Sequence, residues 1–274
     1  MLAISARSLE HHADVVPREW PVVAVSGLAF EASIAAGTGV RVVKASDRRV
    51  LLPALREAVA NGSQGIVSFG VAGGLDPDLV AGHCVIAATV LTDKGRFMTS
   101  RRWSQRLMQA FPGARRGDIV GVEGPVASPA EKQALHRDTG ALAVDTESDL
   151  AARVAAVHGL PFVAIRIVVD SVHRPLPPAA LVSTHSDGQL DLCSILASLA
   201  RQPAQLPDLV RLAYDARAAR SALVEGRQRL GSHLGLPGLD EPVVDRAPRD
   251  RRAGSVPSFP RAVATRRPEL VSTL

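Results

Sequence analysis

The sequence is poor in several things at once. Aromatic residues make up 3% of its 274 positions, cysteine occurs twice, and only Lys44, Lys94 and Lys132 are lysines. With so few rings the core must be filled by Val, Leu, Ala and Ile. The 46% of hydrophobic residues is enough for one sizeable core. Two cysteines, Cys84 and Cys193, give no disulfide framework, and a reducing compartment is the default. No run of 18 apolar residues is present, which excludes a spanning helix. The stretch from Met1 to Trp20 lacks the basic and then apolar order of a signal peptide, so the expected location is cytoplasmic. That stretch carries His11 and His12 with no further ligands at metal-site spacing, and no metal is expected.

The formal charge is +5, carried almost wholly by arginine. A nucleic-acid binder would cluster its cations on one element, often with aromatics between them. Here the pairs Arg48-Arg49, Arg101-Arg102, Arg115-Arg116 and Arg251-Arg252 are dispersed. The expectation is a solvated arginine-rich surface without a nucleic-acid partner, with attraction to anionic membrane surfaces as a weaker alternative.

What is present is an alternation of strand and helix signals. Residues 21–30, PVVAVSGLAF, open with an apolar strand that breaks at Ser26-Gly27. LLPALREAVANG has helical spacing and stops at Gly62, and GIVSFGVAGGL is a strand running into a glycine turn. Ser128-Pro129-Ala130-Glu131 is a capping box with proline at the first helical position. LAARVAAVHGL is a helix stopped by Gly159, and PFVAIRIVVD is a nearly continuous apolar strand of the kind buried on both faces. Leu192, Ile195, Leu196 and Leu199 form an apolar helix face, and Pro207 to Leu230 reads as a long arginine-rich helix. Beyond Gly231 the periodicity fails, and 232–274 holds six prolines and seven arginines. These signals predict an N-terminal extension (1–20), one α/β domain (21–231) and a disordered Pro/Arg-rich tail (232–274).

Two stretches carry the chemistry. In SFGVAGGL, Gly70, Gly73 and Gly74 would let the backbone take positive φ and approach a ligand, although the spacing is that of neither a dinucleotide loop nor a P-loop. In AVDTESDLAARVAAVHGLPFVAIRIVVD, acids gather around Glu147, none follows between Leu150 and Val169, and Asp170 ends the strand. Ligands of open α/β sheets sit beyond the carboxyl ends of strands. A partly desolvated acid there suits general acid work near neutral pH. Read singly, Glu147 is as well explained by helix-start electrostatics and Asp170 by a strand-end turn; together they favour a site.

From about Val22 to Gly231 the chain resembles the purine nucleoside phosphorylase and nucleosidase superfamily. SFGVAGGL is similar to that family's glycine loop, and the segment from Glu147 to Asp170, 23 residues apart, to its ribose-binding and purine-protonating segment. Within the superfamily, GIVSFGVAGGLDPDL, DSVHRPLPPAAL and LPDLVRLAYDARAARSALVEGRQRLG are similar to the hopanoid-associated branch, whose members are thought to release adenine from adenosylhopane. The resemblance implies a single nucleoside phosphorylase-like domain with a central mixed sheet flanked by helices. It also implies a homo-oligomer, and a purine nucleoside as substrate, lipid-linked if the branch is right. A membrane-peripheral contact would then be expected. No cofactor is implied, though inorganic phosphate is admitted as co-substrate.

By the same resemblance Asp170 would protonate, or hydrogen-bond, a purine ring nitrogen. Glu147, with Thr146 beside it, would hold ribose hydroxyls, and bonds of that kind strengthen as charge develops in the transition state. Glu31, in SGLAFEA, would activate water or touch the ribose. Gly70 and Gly73 would line the site by their backbone, and Pro125 and Val126 would give apolar contact to the base. The chain departs from the pattern at Val71, where many relatives have a hydroxyl residue, and at Val169, where serine is common. The usual phosphate-binding segment is replaced by VVKASDRRVLLPAL. Arg48 or Arg49 could meet phosphate, but a solvated pair is the simpler expectation. These departures favour water slightly over phosphate. A binding protein without chemistry and a methylthioadenosine or adenosylhomocysteine nucleosidase stand as alternatives.

Overall fold

The computed structural model describes residues 20–181 and 185–238. The expected extension and most of the expected tail, with His11 and His12, lie outside these residues.

The chain opens with β1 (Val22–Ser26), whose five residues are all buried, then α1 (Ala29–Ala35), β2 (Val40–Lys44) and α2 (Arg48–Ala60). The carboxylate of Asp47 accepts a hydrogen bond from the Arg49 amide and so starts α2. There follow β3 (Gly65–Gly74), β4 (Cys84–Thr92), β5 (Gly95–Met98), α3 (Arg101–Ala110) and β6 (Arg115–Gly121). The capping box forms as the sequence predicts: Ser128 and Glu131 exchange bonds at the start of α4 (Pro129–Thr139), and Gly140 closes it in the left-handed conformation. Next come β7 (Ala143–Asp145), α5 (Ser148–His158) with Gly159 as its left-handed stop, and β8 (Phe162–Asp170). The described chain ends with α6 (Pro178–Leu181), α7 (Leu192–Arg201) and α8 (Leu206–Leu230).

The sheet is mixed, with helices against it. β1 lies between β2 and β3, parallel to both. β8 inserts between β3, to which it is parallel, and β4, to which it is antiparallel. β4 continues to β6, β6 to β7, and β7 returns to β3 at Gly73 and Gly74. Five strands therefore close on one another, with β1 and β2 as a wing on one side and the β4–β5 hairpin on the other. Two apolar layers fill the faces, one under α2 and α5, the other under α1, α3 and α8. α8 packs through Ala219, Leu223, Gly226 and Leu230, at helical spacing. At Gly226 a Cβ would lie 1.7 Å from the Phe111 ring, so only glycine lets that ring and helix meet.

Two expectations change. The glycine stretch is not a turn: β3 runs through Gly70 and Gly73 to Gly74, none of which has positive φ. The domain also continues past Gly231. Leu234 is fully buried, its carbonyl accepts the Trp103 indole N–H at 2.9 Å, and the His233 amide donates to the Thr38 carbonyl. Leu234 and Leu236, standing next to prolines and glycines, give no helical or strand periodicity, which is why the boundary falls too early on sequence grounds.

Candidate active site

The centre of the site is Arg166, in the middle of β8 and completely buried. A buried cation must be paired and hydrogen-bonded. Its Nε forms an ion pair with Asp145 at the end of β7, and Nη2 stands 3.2 Å from the Glu147 carboxylate. Nη2 also donates to the Ser68 hydroxyl at 2.6 Å, and Nη1 to the Val71 carbonyl at 3.3 Å. Asp145 is shared: it accepts the Ser148 hydroxyl and, at 3.0 Å, the Ser148 amide, and so ties the start of α5 to the same cation. The acids at the head of this stretch thus divide their labour. Asp145 holds Arg166. Asp149 holds Arg48 of α2 through two contacts of 2.7 and 2.6 Å. Glu147 lies between them.

Glu31 enters from α1. One oxygen accepts the amides of Gly27 (3.0 Å) and Leu28 (2.9 Å), and the other accepts the Val71 amide at 2.7 Å. Burial and the nearby Glu147 carboxylate lift its pKa to about 7, against the downward pull of Arg166 and the amide donors. An acid so placed can take a proton near neutral pH. Burial raises the Glu147 pKa too, opposed first by Arg166, and Thr146 donates its hydroxyl to Glu147 at 2.5 Å. The glycines here are needed for space. A Cβ on Gly70 would lie 2.4 Å from Glu31 Oε1 and 2.8 Å from Arg166 Nη1, and one on Gly27 would lie 2.5 Å from Glu147 Oε1.

Asp170 lies farther along the same strand. The β3–β8 register shifts between Ala72 and Gly73, so Val168 faces Ala72, Asp170 faces Gly73, and Val169 is the extra residue. Such a bulge re-aims the side chain beside it. The Asp170 carboxyl is buried and forms an ion pair with Lys132 of α4. Burial raises its pKa, opposed by the Lys132 ammonium and assisted by Asp215. Gly73 lies against it, with a Cβ position 3.5 Å from Oδ2 and 3.3 Å from the Val144 side chain. Val126 is buried in the small apolar cluster that includes Val144, Leu75 and Leu135.

The described chain thus brings Glu31, Thr146, Glu147, Gly70 and Arg166 into one group, and Asp170, Gly73 and Lys132 into a second, three steps along the β3 ladder. Val71 takes part through its backbone, its amide donating to Glu31 and its carbonyl accepting from Arg166. Arg48 is not a solvated cation: besides Asp149 it donates to the carbonyls of Thr146 and Val122. Arg49 is exposed and pairs with Asp47. The residues 185–190 lie over the turn after β1, with the Ala29 amide donating to the Gly188 carbonyl at 2.9 Å. A separate cleft of about 340 Å³, walled by Phe97, Met98, Ala152, Ala155 and Leu160, holds no acid and lies away from these groups. Among the described residues no cluster of three His, Cys, Asp or Glu could hold a metal, and no helix is long and apolar enough to cross a membrane.

Comparison with known proteins identifies the fold. The profile of the phosphorylase superfamily matches residues 34–201. The chain belongs to that superfamily, as an enzyme of N-glycosidic bonds. Among solved structures it is similar to the 5′-methylthioadenosine/S-adenosylhomocysteine nucleosidase of Helicobacter pylori (TM-score 0.55, 14% identity, 79% of this chain and 98% of that one). The S-adenosylhomocysteine nucleosidase of Streptococcus pyogenes gives 0.55 at 12% identity, over 80% and 98% of the two chains. Futalosine hydrolase of Helicobacter pylori gives 0.51 at 16% identity, over 76% and 97%. At these identities the likeness is one of fold, that of purine nucleosidases. No curated protein matches the chain significantly.

Proposed function

We propose that the protein releases adenine from a purine nucleoside whose ribose carries a lipid, adenosylhopane, with water as the acceptor. The carrying observation is the arrangement along β3: Glu31 and Glu147 beside the Asp145-held Arg166 at one position and a buried, partnered Asp170 at the other. In this reading Asp170 protonates the purine as the bond to the sugar breaks, which contributes about 100- to 10,000-fold. Glu147 receives ribose hydroxyls, and Glu31 takes the proton of the attacking water.

Water is favoured over phosphate by charge. Glu31, Asp145 and Glu147 formally face one guanidinium, and Arg48 is already neutralised by Asp149. A phosphate anion would meet an excess of carboxylates there, whereas a positively charged sugar transition state is stabilised by them. The lipid is supported by the surface that follows Asp170. Leu181, Leu190, Leu192, Leu196, Leu206 and Tyr214 are all exposed, and α7 buries none of its residues. Exposed apolar side chains of this kind suit a membrane-borne substrate or a second copy of the chain. The fold neighbours named as methylthioadenosine/adenosylhomocysteine nucleosidases support a second reading, a soluble adenine nucleoside as substrate.

The test is adenine release from adenosylhopane and from methylthioadenosine, with and without phosphate, beside Asp170→Asn. Phosphate-independent release from the lipid, lost in the variant, is expected. Release from methylthioadenosine alone moves the substrate to the second reading, and no release from either overturns the enzymatic proposal. The cytoplasmic location, the membrane contact and the homo-oligomer belong to the same proposal, checked by vesicle co-sedimentation and light scattering.

A further inference from the structure

We propose that Lys132 is a positioning residue for the reaction: its ammonium fixes the orientation of the Asp170 carboxyl and stabilises the carboxylate left when Asp170 delivers its proton to the purine. This rests on the assignment of Asp170 as the purine-side acid. Lys132 projects from the first turn of α4 and is completely buried. Its Nζ contacts Asp170 Oδ2 and donates to the carbonyls of Ser171 (3.1 Å) and Arg174 (3.3 Å), which uses all three of its donors. Desolvating an ammonium costs several kcal/mol. An apolar side chain would fill the space more cheaply, as Leu135 does one turn later on the same helix. The lysine therefore answers to the carboxyl it holds.

The charges around Asp170 are few. Lys132 reaches it from α4, and Asp215 from α8, itself paired with Arg174 at 3.0 Å. On β3, Gly73 pairs with Asp170 on one side and with Val144 of β7 on the other, and neither carries a charge. Without Lys132 the carboxyl would be buried with a carboxylate as its main electrostatic neighbour, and it would grip its proton too firmly to give it up. With Lys132 in place, burial and the ammonium oppose each other. In the step itself the bond from the sugar to the purine nitrogen breaks and its electron pair goes to the purine. The Asp170 proton passes to a purine ring nitrogen, and water adds to the sugar carbon and gives its proton to Glu31. The Nζ–H bonds then stabilise the carboxylate left on Asp170.

The experiment measures kcat and KM against pH for Lys132→Met and Lys132→Arg, with the Asp170 carboxyl carbon titrated by NMR in each. Asp170 acts in its protonated form, so activity falls as pH rises through its pKa, and Lys132 holds that pKa down. Removal of the cation should therefore move the alkaline limb up by about one pH unit or more. We expect plateau kcat to drop at least about tenfold, as loss of general acid help requires, with KM nearly unchanged. Lys132→Arg should keep the wild-type limb. A limb that stays in place while the rate falls uniformly would make Lys132 purely structural and overturn the proposal. If the wild type releases no base from any nucleoside, the functional reading has failed instead. The NMR titration then judges the pair alone, an unmoved Asp170 titration in Lys132→Met counting against it. If Lys132→Met does not fold, Lys132→Gln, which keeps a donor without charge, gives the same comparison.

Discussion

Consider the replacement of Gly70 by alanine. The added methyl would sit 2.4 Å from Glu31 Oε1, 2.5 Å from its Cδ and 2.8 Å from Arg166 Nη1. Relief to an ordinary contact of about 3.5 Å needs a shift of about 1 Å. Glu31 cannot give that freely, because amides at 2.7, 2.9 and 3.0 Å hold both of its oxygens. A shift of about 1 Å would carry the Val71 amide contact beyond hydrogen-bond range. A hydrogen bond to a charged group is worth about 1.5–3 kcal/mol, and one or two are at stake, so denaturant unfolding should show a loss of about 2–4 kcal/mol. Displacement of a reacting group by about 1 Å costs on the order of 100-fold, so kcat/KM for base release should fall by about that much. Shortening the acid in the double variant Gly70→Ala/Glu31→Asp makes room for the methyl and should recover part of the stability. A Gly70→Ala protein with wild-type stability and activity would refute both the close approach and the place of Glu31 in the site.

Three further outcomes are expected. Glu31 is raised from 4.5 to about 7 in the folded state, so its protonated form favours folding. That contribution is complete below pH 4.5 and lost as pH rises to about 7; the wild type should lose about 3 kcal/mol relative to Glu31→Gln across this window in pH-dependent unfolding. Arg48→Met removes two hydrogen bonds from the buried Asp149, leaving it only the more distant Arg153 at 3.6 Å, and frees the Thr146 carbonyl; it should cost about 2 kcal/mol in chemical denaturation and raise KM more than it lowers kcat, since it loosens the Glu147 turn. Leu234→Ala removes a fully buried side chain that closes the second apolar layer, and should cost about 2–4 kcal/mol by thermal melt.

Much of the site is legible in sequence because it depends on local rules. The apolar run of β8, the glycine stop after α5 and the Ser128 capping box each act within a few residues, and they place Glu147 and Asp170 without reference to the rest of the chain. Gly70 is different. Its need for glycine comes from Glu31, 39 residues earlier, and Arg166, 96 residues later, so the local spacing suggests a turn where a strand runs straight through. Arg166 does carry a signal: a lone cation inside a strand buried on both faces has to find carboxylates, and Asp145 and Glu147 are the acids just upstream. Lys132 sits in a helix whose mixed polarity reads as a solvated face, and only the fold turns it inward to Asp170.

The closure of five strands also constrains the order in which the protein can form. Among the described residues β8 is the last strand to be made, yet it fills the gap between β3 and β4 and brings the cation that Asp145 and Glu147 require. Until it inserts, β3 and β4 expose unpaired edges, and the acids cannot be buried without an uncompensated charge. Strand insertion and desolvation of the acids must therefore occur together, in a step that joins segments almost one hundred residues apart and is slow for that reason. A chain arrested before Arg166 would be an aggregation-prone intermediate with no site at all. Substitutions that weaken the Arg166 pairs should then slow folding as well as lower stability, whereas those at Leu234, which packs after the ring has closed, should act on unfolding.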